Sequence, residues 1–362
     1  MSHWRRRGQR VVRITGNFQQ ERELHPAAFA LLTELFGKGW HDPEKLNQNS
    51  RQTAILLNQA KQSFAQFLNV ESNEIEFLGE VDLGFQLGIQ GLLNEDSTLI
   101  HSAIDRQKVF AVAKYVEKLG HSVKTLTVNS QGEILEEPGQ SEDLLVWQVA
   151  NGETGNLQQV PKTECQIFAD CTSSGVDHLP EFAYQTALFD STSWVGPAGL
   201  GVLVIKTNAK WRNPLPHNDL TRTPNSYSLP LALASAVALE NYKKDQDIRV
   251  KIKQQIIEFI STNISGVDIA STNHGLSKYI SFTAKSIEAD RLLLELEDLG
   301  FSVDSGSACK SADMKPSHVL AAMGRPIVGN IRLTIHKEMS EQVVKEFLAA
   351  LKLTIEKLRA VI

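Results

Sequence analysis

Ile75-Glu76-Phe77 ahead of Leu83 to Leu93, Leu99-Ile100 ahead of Val109 to Leu119, and Val123 to Val128 ahead of Leu144 to Ala150 are the runs that decide the fold. In each pair a short β-rich run precedes a stretch read as helical, and this βαβ alternation predicts a largely parallel sheet with helices on both faces. Cys165 to Ala169, ending at Asp170, and Gly201 to Ile205 read as two more buried strands. In an open α/β sheet the carboxyl ends of the strands hold the ligand site, so Asp170 stands where chemistry is expected.

Upstream, apolar residues recur at helical spacing from Pro26 to Phe36 and from Ser50 to Leu68, as in Ala54, Leu57, Ala60, Phe64 and Phe67. Downstream, a polar segment from Pro216 to Tyr227 precedes a long helical pattern from Leu229 to about Asn263. Short strands around Tyr279 to Phe282, Phe301 to Val303 and Ile331 to Ile335 then mix with helices around Ala289 to Leu299 and Glu341 to Leu358. The expected division is a large α/β domain over 26–240 and a small α+β domain over 241–362 that includes 1–25.

The chain has 362 residues, 42% of them hydrophobic and 22% charged, which suits one large or two medium globular domains and excludes disordered and collagen-like classes. A formal net charge of -5 gives no electrostatic reason to hold nucleic acid or an anionic membrane. The basic start, Met1 to Arg7, is followed by no apolar core and reads as a loose arm. Three cysteines, Cys165, Cys171 and Cys309, have no metal-ligand spacing. Neither a disulfide framework nor a metal site is expected, and a reducing cytoplasm is.

Around Cys309 the sequence Ser305-Gly306-Ser307-Ala308-Cys309-Lys310-Ser311 reads as a small-residue loop presenting a thiol, with Lys310 favouring the thiolate. Lys315-Pro316-Ser317-His318-Val319-Leu320-Ala321-Ala322-Met323-Gly324 and Gly329-Asn330-Ile331-Arg332-Leu333 follow. Upstream lie Asn151-Gly152-Glu153-Thr154-Gly155, Phe168-Ala169-Asp170 and Gly196-Pro197-Ala198-Gly199-Leu200-Gly201. The last leads into a strand rather than a helix, so it is not a dinucleotide fingerprint. Together these segments resemble the cysteine desulfurases of the class V aminotransferase family over nearly the whole chain. The resemblance implies aminotransferase fold type I, pyridoxal phosphate as the family's cofactor, and a homodimer or a mixed dimer with a related subunit. It implies that Cys309 matches the thiol that takes up sulfur as a persulfide, that Arg332 matches the arginine holding the substrate carboxylate, and that Asp170 matches the acid pairing with the pyridinium nitrogen. A strand-end cap or turn aspartate is the other reading of Asp170.

The resemblance fails at several cofactor contacts. Ser193, in Asp190-Ser191-Thr192-Ser193-Trp194, stands in the place of the Schiff-base lysine, and a hydroxyl forms no imine. The nearest lysines, Lys162 and Lys206, lie elsewhere. Leu78-Gly79-Glu80-Val81-Asp82 replaces the phosphate cup with two carboxylates. Arg106 falls where a histidine stacks on the ring, Gly152 beside Asn151 where an asparagine meets the ring hydroxyl, and Ser173 where a glutamine follows the strand. Arg222-Thr223-Pro224-Asn225 keeps only the arginine of the segment that reaches the neighbouring subunit's phosphate.

Three readings follow. The first is a degenerate relative with an accessory, binding or sulfur-accepting role through Cys309 and a sulfur-transfer protein partner. The second is an active desulfurase or C–S lyase with a rearranged pyridoxal phosphate site. In the third, the fold carries a different chemistry in a cleft lined by Glu80, Asp82, Asp105, Arg106 and Asp170, with room for a cation.

Overall fold

The computed structural model describes residues 15–38, 41–136, 138–217, 227–242, 248–305 and 316–360. Strand β1 (Gly16–Asn17) leads to helices α1 (Pro26–Phe36) and α2 (Gln48–Leu68). Pro26 opens α1 behind an imidazole cap from His25, and Asn47 caps α2 by accepting from the Ser50 N–H. Then follow β2 (Ile75–Leu78), α3 (Val81–Gln90), β3 (Leu99–Ser102), α4 (Gln107–Lys118), β4 (Val123–Leu126), β5 (Leu144–Gln148), β6 (Gln166–Asp170), β7 (Thr186–Asp190), β8 (Gly201–Ile205) and α5 (Leu229–Asn241).

Their strands build one seven-stranded sheet in the order β2-β8-β7-β6-β5-β3-β4. All neighbours are parallel except β8, which runs antiparallel to β2 and β7. Ala187 to Phe189 of β7 and Val202 to Ile205 of β8 are apolar because successive residues face two cores. Ala187, Phe189, Val202 and Val204 pack under α1, α2 and α5, while Leu188, Leu203 and Ile205 pack under α3 and α4. Covering both faces is what a parallel sheet requires.

Leu144 to Ala150, read from sequence as helical, is strand β5 in the middle of this sheet. Leu144 and Val146 face one core and Leu145 and Trp147 another, so Leu144 to Trp147 is apolar at every position and carries no period. The long pattern from Leu229 is likewise not one helix. The backbone turns extended at Tyr242, ending α5, and α6 (Ile248–Asn263) packs in a different core.

After α6 come β9 (Val267–Ile269), β10 (Tyr279–Ala284), α7 (Ala289–Asp298), β11 (Phe301–Ser302), β12 (Asp304–Ser305), α8 (His318–Ala322), β13 (Asn330–Thr334) and α9 (Glu341–Arg359). Four strands form an antiparallel sheet, β12-β13-β10-β9, against α6, α7 and α9. The N-terminal strand joins this second unit: β1 pairs parallel with β11, and Phe18 stacks on Phe347 at 4.2 Å. No helix among the described residues is long and apolar enough to cross a membrane.

Candidate functional site

Three parallel strands end side by side and deliver polar residues to one place. Asp170 closes β6, Asn151 follows β5, and Asp105-Arg106 follow β3 at the start of α4. Asp170 is almost wholly buried. Its Oδ1 accepts from the Thr172 N–H at 2.9 Å and the Thr172 hydroxyl at 2.6 Å, while its Oδ2 faces Arg106 Nε at 3.4 Å. The same guanidinium donates from Nη2 to Ser173 Oγ at 2.6 Å. Gly152 makes room for it, because a Cβ there would lie 2.7 Å from Ser173 Oγ and 3.1 Å from Arg106 Nη2. Arg106, Gly152, Ser173 and Asp170 therefore form one packed unit.

Asp105 lies behind it, fully buried, with Oδ2 accepting the Ser102 N–H at 2.7 Å and Oδ1 without a hydrogen-bond partner. Burial pushes its carboxyl well above the usual range, and the charge of Asp170 adds to that. The two carboxyl groups thus act on one another, and the neutral form of Asp105 is favoured. Asn151 is fully committed: its amide donates to Ile104 O and Gln148 Oε1, and its carbonyl accepts from Glu153 and Thr154. It holds the Asn151–Gly155 turn rather than pointing a free group outward.

Ser193 sits in the short turn Ser191–Trp194 after β7, and the turn is rigidly anchored. Asp190 caps it through the Thr192 N–H, the buried Trp194 donates to Ser235 Oγ at 3.1 Å, and Val195 takes a left-handed φ of 63°. Against it packs Gly175, where a Cβ would lie 2.3 Å from Ser193 Oγ. That hydroxyl is buried and has no hydrogen-bond partner. Lys206 is tied up elsewhere, its Nζ 2.5 Å from Glu74 Oε2.

Arg332, on β13, reaches across from the second sheet. Its Nη2 pairs with Asp304 Oδ2 at 3.0 Å, and its Nη1 donates to the Gly152 carbonyl at 3.4 Å. The β12–β13 register places Asp304 directly opposite Arg332, which no linear reading anticipates. Glu153, within the turn that sequence had singled out, is a further acid here. Burial lifts its pKa to about 7, against the Ser317 hydroxyl and the Arg332 charge. His318 at the start of α8 accepts from Gln107 Nε2 at Nδ1, which leaves Nε2–H to donate to the Asp105 carbonyl at 2.8 Å. Cys309, with Lys310, and Arg222 lie outside the described residues.

Glu80 and Asp82 lie at the α3 N-terminus, where Asp82 pairs with Lys108 at 2.5 Å, while Asp170 pairs with Arg106. Among the described residues no three His, Cys, Asp or Glu side chains are placed to hold a metal ion.

The family model described as Aminotransferase class-V matches residues 33–219, just over half of the chain. The chain belongs to the class V aminotransferase family. Cysteine desulfurase 2 of Trichormus variabilis is 28% identical over 375 residues, covering 95% of this chain and 92% of that protein. Cysteine desulfurase IscS of Dictyoglomus turgidum is 26% identical, covering 94% and 93%. A solved NifS-like protein superposes with a TM-score of 0.81 at 20% identity, covering 95% of this chain and all of that one, and a second from Rickettsia africae gives 0.78 at 17%. The fold is that of these NifS-like proteins, and the relatives are cysteine desulfurases of a pyridoxal phosphate-dependent family.

Proposed function

We propose that this desulfurase-like chain has lost covalent use of pyridoxal phosphate and acts as an accessory, sulfur-accepting protein through Cys309. The observation that carries this reading is the pairing of Asp170 with Arg106 of its own chain at 3.4 Å. A pyridinium nitrogen would have to displace that guanidinium from a buried carboxylate, and the adjacent Ser193 offers a hydroxyl where imine formation needs an amine. At the phosphate end, Glu80 and Asp82 add like charge. On these grounds the residues do not fit the cofactor.

Sulfur acceptance needs only the thiol. The Cys309 thiolate attacks the outer sulfur of a donor persulfide, a new S–S bond forms as the donor's breaks, and the donor leaves as a thiolate with no net oxidation. Lys310 favours the reactive anion, and a reducing compartment such as the cytoplasm keeps the thiol free. The donor would be a sulfur-transfer protein, with this chain assembling as a homodimer or with a related subunit.

The test is a visible spectrum of the purified chain with and without added pyridoxal phosphate, then borohydride reduction and mass mapping of lysines. A colourless protein with no labelled lysine is expected, together with persulfide uptake from a persulfidated desulfurase that disappears in Cys309→Ser. A stable yellow adduct on one lysine would overturn the reading.

A further inference from the structure

Nothing local favours an arginine at position 106. It is the N-cap residue of α4, its side chain makes no capping hydrogen bond, and no acidic residue follows in the first turn. A cation at the positive end of a helix is unfavourable, and a serine, threonine, asparagine or aspartate would serve the cap better. What the side chain gains is tertiary: Nη2 donates to Ser173 Oγ at 2.6 Å, and Nε faces Asp170 Oδ2 at 3.4 Å.

The groups that receive it are held in place without it. Asp170 ends β6, which is paired on both sides, and its Oδ1 is fixed by the Thr172 N–H and hydroxyl. Gly152 lies in the turn that the Asn151 side chain ties down, and a Cβ there would come within 3.1 Å of Arg106 Nη2. Ser173 is buried, and burial favours the neutral form of Asp105 behind, so Asp170 is the carboxylate offered here. The guanidinium, by contrast, fits loosely. An arginine and a carboxylate at their best make two parallel bonds of about 2.7–2.9 Å. Arg106 Nε is buried without a hydrogen-bond partner among the described residues, and Gln148 Nε2 reaches Asp170 Oδ2 only at 3.5 Å. The strand ends set the seat, and the reach of the side chain from α4 sets its occupant.

We infer that Arg106 is an internal plug in a preformed seat for a planar nitrogen cation of the guanidinium or amidinium class, built from Asp170, Ser173 and the Gly152 turn. Without that side chain a buried carboxylate faces a space of guanidinium shape, and an external ion of the class fills it. The plug rests on the reading that the site takes up no pyridoxal phosphate, and it sets the exclusion at residue 106 as well as at Ser193. It does not depend on Cys309.

The probe is methylguanidinium. In Arg106→Ser, where serine suits the α4 cap, and in Arg106→Ala, it should raise the melting midpoint saturably by about 1–3 °C relative to sodium chloride at the same ionic strength. The parent should show no saturable rise, and adding Asp170→Asn to either variant should abolish it. A crystal structure of Arg106→Ser with the ion should show planar density against Asp170. An equal response in parent and variants, or one that survives Asp170→Asn, overturns the plug. A colourless parent whose two variants both ignore the ion overturns the plug alone, whereas a pyridoxal phosphate adduct on a lysine of the parent overturns the cofactor reading and the plug together.

Discussion

Asp170 and Asp177 lie seven residues apart, both in or just after the same strand, and their surroundings are opposite. Asp177 receives the Arg249 fork at 3.0 and 3.1 Å, Lys278 at 3.3 Å and the Tyr242 hydroxyl at 2.8 Å. Burial opposes its charge, yet Lys278, Arg249 and Tyr242 outweigh burial and hold its carboxyl well below the usual range. Asp170 has the Asp105 carboxyl as a neighbour and the single, partly exposed Arg106 guanidinium as its ion pair. The first carboxylate fastens the sheet that carries it to α6 and β10. The second belongs to a cluster with too few cations for its acids, a state tolerated where structure is not the main constraint.

The contrast would break most visibly at Asp177. Asp177→Ala removes the buried anion that Arg249 and Lys278 share and should cost about 3–5 kcal/mol in urea unfolding. A loss below about 1 kcal/mol would show that the clamp is not structural. Arg106→Ala should cost less, about 1–2 kcal/mol at pH 7.5, because the guanidinium is partly solvated. Asp105→Asn is the smallest change, within about 0.5 kcal/mol of the parent below the ordinary carboxyl value of 3.8, since the amide mimics the protonated acid and accepts the same Ser102 N–H. Because the folded pKa of Asp105 is raised, its contribution is fully present below the ordinary value of 3.8 and is lost as pH climbs through the folded value. The variant should therefore gain on the parent in alkaline urea melts, and a steady difference across pH would show that Asp105 is ionised throughout.

Legibility in the sequence followed periodicity. Helices α1, α2, α7 and α9 bury one face, so their stripes can be read directly. Strand β5 is buried on both sides and β7 nearly so, and without a period β5 was mistaken for helix and β7 passed unseen. Strands β9 and β12 are three and two residues long, too short to leave any pattern.

At the site, sequence located Asp170, Arg106, Ser173, Ser193 and Arg332 one by one. It could not pair them: Arg106 and Ser173 are 67 positions apart, and their contact exists only because β3 and β6 end at the same edge. No local pattern marks Asp304, which the β12–β13 register sets against Arg332. Glu153 gave no hint of a pKa near 7, because burial is a property of the assembled turn.

What the sequence by itself determined is the α/β class, the helices with one buried face and the identity of the side chains at the strand ends, since these follow from local pattern and residue chemistry. Only the tertiary structure decided which acid is clamped and which is left short of charge, and which hydroxyls remain unmet. Charge balance and hydrogen-bond satisfaction depend on distances between residues far apart in the chain.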